Sequence, residues 1–386
     1  ADAADLANTE WWKAFGDEHL TRLIDAAIDA NRDLRIAAYR IDEYAARLKV
    51  SQAGSLPIVG YGTNASRAQL SQERPNGLRL GASPVLSNFE LGGTFNWEID
   101  LWGRLKRADE AALAELMAAQ QTRRAVMLTV VADVASGYVT LLALDRQLAI
   151  AEERLRLRRE ALTLMDAKRA GGSATRLDVE LLRAAAEEQA AALPQIRREI
   201  AAAELALNAL LGRPAGPIAR RSIDQLALPQ VPAGVPADIL TRRPDVAAAE
   251  QDLVAANARI GVARTGYFPT LSLSAAIGLA ADELRWLFAE TARTANIGGA
   301  LAGTLFDGGR VEGDVKQAEA RRGQAEEIFL KTLQTALLEV EDAMAARTLA
   351  GEREQAVAAR VKALQEVQRL SVARQGAGQT GRLDTI

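Results

Sequence analysis

Two short stretches carry residue types that often do chemistry. FDGGR at 306–310 sets glycines before a charged side chain, as a phosphate-cradling turn does, and RRPD at 242–245 groups charges that could form an acid–base pair. Neither completes a site. The first lacks the lysine of a P-loop, and its counterpart in the first half of the chain, LWGR at 101–104, keeps one glycine. It reads as a turn from strand to helix. In the second, Pro244 suits a first helical turn and Asp245 lies near the positive end of that helix, so the stretch reads as a helix start. His19 is the single histidine and there is no cysteine. That excludes disulfides, thiolate metal sites, cysteine nucleophiles and histidine-rich zinc sites. His19, in FGDEHLTRLI, falls at a helix start and reads as a surface residue. The sequence therefore predicts no enzyme, no metal site and no cofactor. A net charge of −3 gives no basic footprint for nucleic acid.

A third pattern is written twice: GGSATRLDVE at 171–180 and GAGQTGRLDTI at 376–386. Asp33 matches Asp245, Arg47 matches Arg259, Gly54 matches Gly266 and Pro57 matches Pro269, each 212 residues on. Gly103 matches Gly309, Arg104 matches Arg310, Gly172 matches Gly378 and Asp178 matches Asp384, each 206 on. One deletion of six residues between Pro57 and Gly103, in repeat terms, explains both offsets. The chain is an internal duplication of about two hundred residues, far longer than a solenoid period. The first repeat is expected at 1–211, an irregular connection at 212–240, and the second repeat at 241–386, truncated before its last helix.

The elements that would position the repeated corner follow from periodicity. Residues 18–50 read as one helix with Leu20, Leu23, Ile24, Ala27 and Ile28 on one face, closed by Gly54 as a left-handed cap and by Pro57. Strands follow with period two. In NFELGGTFNWEID, Phe89, Leu91, Phe95, Trp97 and Ile99 alternate with Asn88, Glu90, Thr94, Asn96 and Glu98; in PTLSLSAAIGL, Leu271, Leu273 and Ile277 alternate with Thr270, Ser272 and Ser274. Two hairpins are expected, 56–66 with 85–99 and 267–280 with 296–306. Strands of about ten residues can cross a bilayer when tilted. Long helices are expected at 104–170, 176–211 and 310–375. From 104 to 170 there is no proline, and at 1.5 Å per residue the stretch would reach roughly 100 Å. Between 144 and 165 two heptad-like seams appear, Leu144–Leu148–Ala151–Leu155–Leu162–Met165 and Ile150–Leu157–Ala161–Leu164, which suits a helix with a neighbour on each side. The run AVMLTVVADVASGYVTLLAL at 125–144 has the hydropathy of a membrane span. Its repeat partner at 331–350 carries Lys331, Glu339, Glu341, Asp342 and Arg347, so the run is expected between helices instead.

GGSATRLD then sits at the tip of a helical hairpin. Gly171 and Gly172 end one helix, Ser173 or Thr175 caps the next, and Asp178 lies in its first turn. The candidate docking residues of the two tips are Gly171, Gly172, Thr175, Arg176, Leu177 and Asp178, and Gly378, Gly381, Arg382, Leu383 and Asp384. Four strands cannot close a barrel, and open edges in lipid leave backbone groups unpaired, so the chain is expected to oligomerise. Trp97, Trp102, Tyr267, Phe268 and Phe306 gather where strands meet helices, as an interfacial aromatic girdle would.

EWWKAFGDEHLTRLIDAAIDANRDLRIA, FNWEIDLWGRLKR and LTRRPDVAAAEQDLVAANARIGVARTGYFPTLSLSAAIGL resemble the TolC-type outer-membrane efflux proteins, above all the branch that serves resistance-nodulation-division pumps. The resemblance runs from residue 10 to the end. It implies a mainly α protein with β strands: a homotrimer whose four strands per chain complete a transmembrane β-barrel in outer-membrane lipid. Long helical hairpins continue it as an α-barrel across the periplasm. It implies partners as well, a periplasmic adaptor at the tips and an inner-membrane pump, and a passive exit for small molecules. It makes Leu383 the gate candidate. The acidic gate position expected just past Ile386 is absent, and so is the lipidated N-terminal cysteine that many members of this branch carry. The alternatives are an exit duct for type I protein secretion, on the same scaffold, and a soluble coiled-coil scaffold without a pore.

Overall fold

The computed structural model describes residues 10–69, 85–228 and 242–377. Asp17 starts the first helix, α1 (Glu18–Ala30): its Oδ1 accepts the N–H groups of His19 at 2.8 Å and Leu20 at 3.4 Å. The single helix expected over 18–50 is broken at Asn31. Asn31 leaves the helical conformation, and its Oδ1 accepts from the N–H groups of Asp33 and Leu34, starting α2 (Arg32–Ala53) afresh. Its Nδ2 donates to the Leu210 carbonyl at 2.9 Å, which holds the break in place. The end of α2 also differs from expectation. Gly54 donates to the Ser51 carbonyl without a left-handed φ, and a Cβ there would stand 3.0 Å from that oxygen, a tight contact that favours glycine.

The remaining elements are β1 (Ile58–Gln69), β2 (Val85–Ile99), α3 (Arg104–Ala170), α4 (Arg176–Leu210), α5 (Pro244–Arg264), β3 (Thr270–Ala281), β4 (Arg293–Ala302) and α6 (Arg310–Gly376). β1 and β3 begin 212 residues apart and end 212 apart; α3 and α6, both 67 residues long, begin 206 apart and end 206 apart. The change of offset therefore falls between the end of β1 and the start of α3. The second hairpin is shorter than the expected 267–306. Thr265–Tyr267 form a 3-10 turn before β3, and β4 ends at Ala302, where Gly303 lies close against Pro269.

The strands form one antiparallel sheet in the order β1-β2-β3-β4. The register pairs Val59 with Phe95, Leu91 with Leu279, Leu273 with Gly299 and Ala275 with Ile297, so odd-numbered residues share one face across all four strands. That face is mostly apolar, with Arg67 and Arg293 at its end away from the helices. The even face carries Asn64, Asn88, Glu90, Thr94, Asn96, Ser272, Ser274 and Asn296, with Gly62, Gly92 and Gly278 in a row across three strands.

By internal packing the chain divides into two compact units, one holding residues up to Tyr39, Gln121–Val246 and from Thr332 on, the other Arg40–Gln120 and Ala247–Lys331. The sheet belongs to the second. In the first, Trp12, Leu20, Leu23, Ile24 and Ala27 pack against Val130, Val131, Val134, Tyr138, Leu141 and Leu142 of α3 and Leu207 of α4. The apolar run at 125–144 thus lies in a helical core. Its helix is long and apolar enough to cross a membrane by composition; one face of the run packs against α1 and α4. Further along, Ala151 and Leu155 of α3 meet Leu193 and Ile196 of α4, filling the first of the two seams. Ile150 of the other seam is exposed. The connection after α4 is tied down by Arg220, which forms charge-assisted bonds to Asp145 of α3 and Glu204 of α4.

A curved wall, an aromatic junction and a hairpin tip

Three places hold the residues of functional interest. The first is the sheet. At Gly278 an added Cβ would stand 2.5 Å from the Leu91 carbonyl oxygen and 2.9 Å from Gly92 Cα; at Gly92 it would stand 2.8 Å from the Ile277 carbonyl oxygen. Neighbouring backbones converge that closely on the inner side of a sharp bend, so the sheet curls toward its even face. A hollow of about 510 Å3 lies there, lined by Asn64, Glu90, Thr94, Gly278 and Asn296 among others. Polar side chains occupy the concave surface and apolar ones the convex surface.

The second is the end of the sheet where all four strands meet helices. Trp97 donates its indole N–H to the Ser55 carbonyl at 3.0 Å, and Trp102 donates to the Pro269 carbonyl at 2.7 Å. Trp102 also stacks on Phe268, with ring centroids 4.8 Å apart. Tyr267 and Phe306, outside the strands, are exposed, Phe306 at 89%. Of the five expected girdle residues, two therefore stack, a third is fixed by a backbone carbonyl, and two project freely. The FDGGR stretch belongs to this junction. Asp307 accepts the N–H groups of Gly309 and Val311, both at 2.9 Å, and these bonds lower its pKa. It caps α6, a structural role. RRPD starts α5, where Arg243 bonds Asp245 and Glu339, each at 2.7 Å, and is held charged by both.

At the opposite end of the sheet the sequence reading missed a feature. The connection between β3 and β4 exposes Leu284, Trp286 and Phe288, and Arg285 lies over the Trp286 ring at 5.1 Å. Its alternation is too short to register as a pattern, but two aromatics in a hairpin connection were the available signal.

The third is the tip between α3 and α4. Gly172 takes φ 75°, and the bonds Ser173 N–H to Lys168 O and Gly172 N–H to Arg169 O close α3. Thr175, rather than Ser173, caps α4. Its Oγ1 accepts from Asp178 N–H, and Asp178 returns the bond to Thr175 N–H at 2.8 Å. Bonds from the Thr175 side chain and backbone lower the Asp178 pKa. Leu177 does not pack the turn: it is 68% exposed, Leu181 one turn on is also exposed, and Val179 takes the buried position. Gly171 and Arg176 are exposed too. The second tip, Gly378, Gly381, Arg382, Leu383 and Asp384, lies outside the described residues. Among the described residues no group of three or more acidic or histidine side chains could hold a metal ion.

A curved sheet with a polar inner face, joined to helices of 67 residues, is the form of a known family. The outer membrane efflux protein family matches residues 23–213 and 235–385. The chain belongs to that family. Its members are channel proteins rather than enzymes, and the place of this chain is the outer membrane. The efflux protein is 34% identical to the pyoverdine export outer membrane protein OpmQ of Pseudomonas putida, over 89% of this chain and 73% of that one. It is also 34% identical to the toluene efflux pump outer membrane protein TtgC of Pseudomonas putida, over 96% and 77%. Among solved structures, the outer-membrane channel OprN superposes with a TM-score of 0.89 at 27% identity, covering 97% of this chain and 84% of that one.

Proposed function

We propose that three copies of this efflux protein close a twelve-stranded barrel and form a passive exit duct for small molecules. What supports the reading most is the sheet itself. Among the described residues β1 and β4 each keep one edge without a strand partner, while the convex face is mostly apolar and the concave face polar. An open edge in hydrocarbon leaves backbone groups unpaired at several kcal/mol each, and pairing β4 of one copy with β1 of the next removes every edge. The far half of α6 supports the same reading: Leu349, Val357, Val361, Leu364 and Leu370 are exposed and want neighbours.

In this assembly the convex face meets outer-membrane lipid and the concave face lines the exit. The aromatic junction sits at the inner membrane–water boundary. The two tips of each chain dock a periplasmic adaptor, which links the duct to an inner-membrane resistance-nodulation-division pump. At the first tip, Gly172 and the Thr175–Asp178 box set the geometry while Arg176 and Leu177 offer the contact. Leu383 of the second tip lies near the narrowest point. Its relatives include a pyoverdine export protein and a toluene efflux pump protein, so the class of cargo is small molecules.

The absence of native cysteine makes the seam directly testable. Cysteines at Gly60, Gly62 or Asn64 of β1 are combined in turn with cysteines at Asn296, Gly298 or Ala300 of β4. At least one pair should oxidise to covalent dimers and trimers on a denaturing gel. A folded monomer in detergent, with none of the nine pairs cross-linking between chains, overturns the barrel.

A further inference from the structure

The convex face of the sheet carries two charged residues among its described positions, and both are arginines. Arg67 lies near the end of β1 and pairs with Ser87; Arg293 opens β4 and pairs with Leu279. Both fall at the end of the sheet away from the helices, and each stands on one of the two open-edge strands. Every other described residue on that face is apolar, small or neutral, from Val59 and Tyr61 through Leu91, Phe95 and Ile277 to Ile297 and Leu301. The acids of the sheet, Glu90 and Glu98, lie on the opposite face. Arg293 approaches Glu290 at 3.7 Å, with both side chains more than two-thirds exposed, an ion pair of little weight.

Pairing β4 of one copy with β1 of the next, antiparallel and with faces matched, brings the outer ends of these strands together. Arg67 of one chain and Arg293 of its neighbour then meet at each seam, on the lipid side, below the exposed Trp286 and Phe288 of the β3–β4 connection. Two guanidinium groups at the top of an apolar wall suit a ligand with a phosphate above acyl chains. Arginine grips phosphate through two parallel N–H bonds, and its charge costs little at the membrane boundary although it would be expensive at mid-depth. The outward leaflet of a Gram-negative outer membrane is built of phosphorylated glycolipid. We propose that each subunit seam of the trimer binds the phosphate of one such glycolipid between Arg67 and Arg293, with the acyl chains against Tyr61 and Ile297. The site rests on the barrel reading above, because one chain alone holds the two arginines on opposite edges.

The test is native mass spectrometry of the purified protein in detergent with diphosphoryl lipid A, with the same lipid stripped of phosphate, and with inorganic phosphate as competitor. The wild-type trimer should retain the diphosphoryl lipid, up to three per trimer, and hold the stripped lipid about tenfold less well, as loss of a charge-assisted bond pair implies. Inorganic phosphate at equal concentration should not displace it. R67Q and R293Q, singly and together, should lose that preference, while R67K/R293K should keep part of it. A wild-type trimer that holds both lipids equally, or a trimeric R67Q/R293Q that keeps the preference, overturns the site and leaves the barrel standing. A protein that is monomeric in the same spectra removes the barrel and the seam together.

Discussion

The bend at Gly92 and Gly278 offers the sharpest test of which face of the sheet lines the duct. Replacing Gly278 with alanine puts a methyl group 2.5 Å from the Leu91 carbonyl oxygen, and replacing Gly92 puts one 2.8 Å from the Ile277 carbonyl oxygen. Both obstacles are backbone, so no side chain can swing away; the strands must separate or the bend must open. Overpacking of this kind costs about 1–3 kcal/mol. Gly62 lies in the same row, yet a Cβ there meets nothing within 4 Å. At such an open strand position alanine should gain about 0.5–1 kcal/mol, because glycine loses more backbone freedom on folding. Gly278→Ala and Gly62→Ala should therefore move in opposite directions from wild type and differ by about 1.5–4 kcal/mol. The assay is urea unfolding of protein refolded into lipid vesicles, followed by tryptophan fluorescence and by the mobility of unheated samples on a denaturing gel. Combining Gly92→Ala with Gly278→Ala should cost less than the sum, since one opening of the bend relieves both contacts. If Gly278→Ala is as stable as Gly62→Ala, the sheet does not curl toward its polar face there, and the assignment of the concave side falls with it.

Three further outcomes follow from the same geometry. Leu91→Arg on the convex face should destabilise by about 2–4 kcal/mol while Thr94→Arg on the concave face costs much less; equal unfolding midpoints in vesicles would reverse or abolish the facing. Tyr138→Phe removes the 2.8 Å bond from the phenol to the buried Asp17 carboxylate and should lower stability by about 1–3 kcal/mol, read from thermal unfolding of the assembled protein. At the first tip, Asp178 has a depressed pKa, so its capping contribution is complete above the ordinary aspartate value of about 3.9 and is lost as pH falls through the lower folded value. Amide exchange at Asp178 should accelerate over that acid range in wild type and be fast at all pH values in Thr175→Ala.

Much of this was legible in the sequence because the two repeats read each other. The charges of 331–350 argued that the apolar run at 125–144 lies between helices, and one face of it does pack against α1 and α4. Period-two alternation at 88–99 and 270–279 carried both the strands and their two faces, since a pleated strand turns alternate side chains opposite ways. What was missed depends on contacts between distant residues. Nothing in NRDLRIA marks Asn31 as a break; the residue suits a cap, but it acts as one because Leu210, far along the chain, receives its amide. The end of β4 was set too late because the apolar residues of NIGGALAGTLF run on to Leu305 and Phe306, whereas the ladder stops at Ala302, where Gly303 lies close against Pro269.

The glycines of the sheet show the same limit in a form that bears on function. GG at 92–93 and the lone Gly278 look alike in sequence, as weak points of a strand. In the register Gly92 and Gly278 are direct partners, while Gly93 faces Ile277 from the convex side and meets only a backbone oxygen at 3.6 Å. One glycine of the pair is thus required by the bend and its neighbour is not. The proposed closure with copies of itself calls for curvature where two strands of one chain can enforce it. The β2–β3 pairing joins the first repeat to the second, so the bend sits at the junction of the duplicated halves. Curvature there turns the outer strands β1 and β4 toward the proposed seams, at edges that have no strand partner among the described residues.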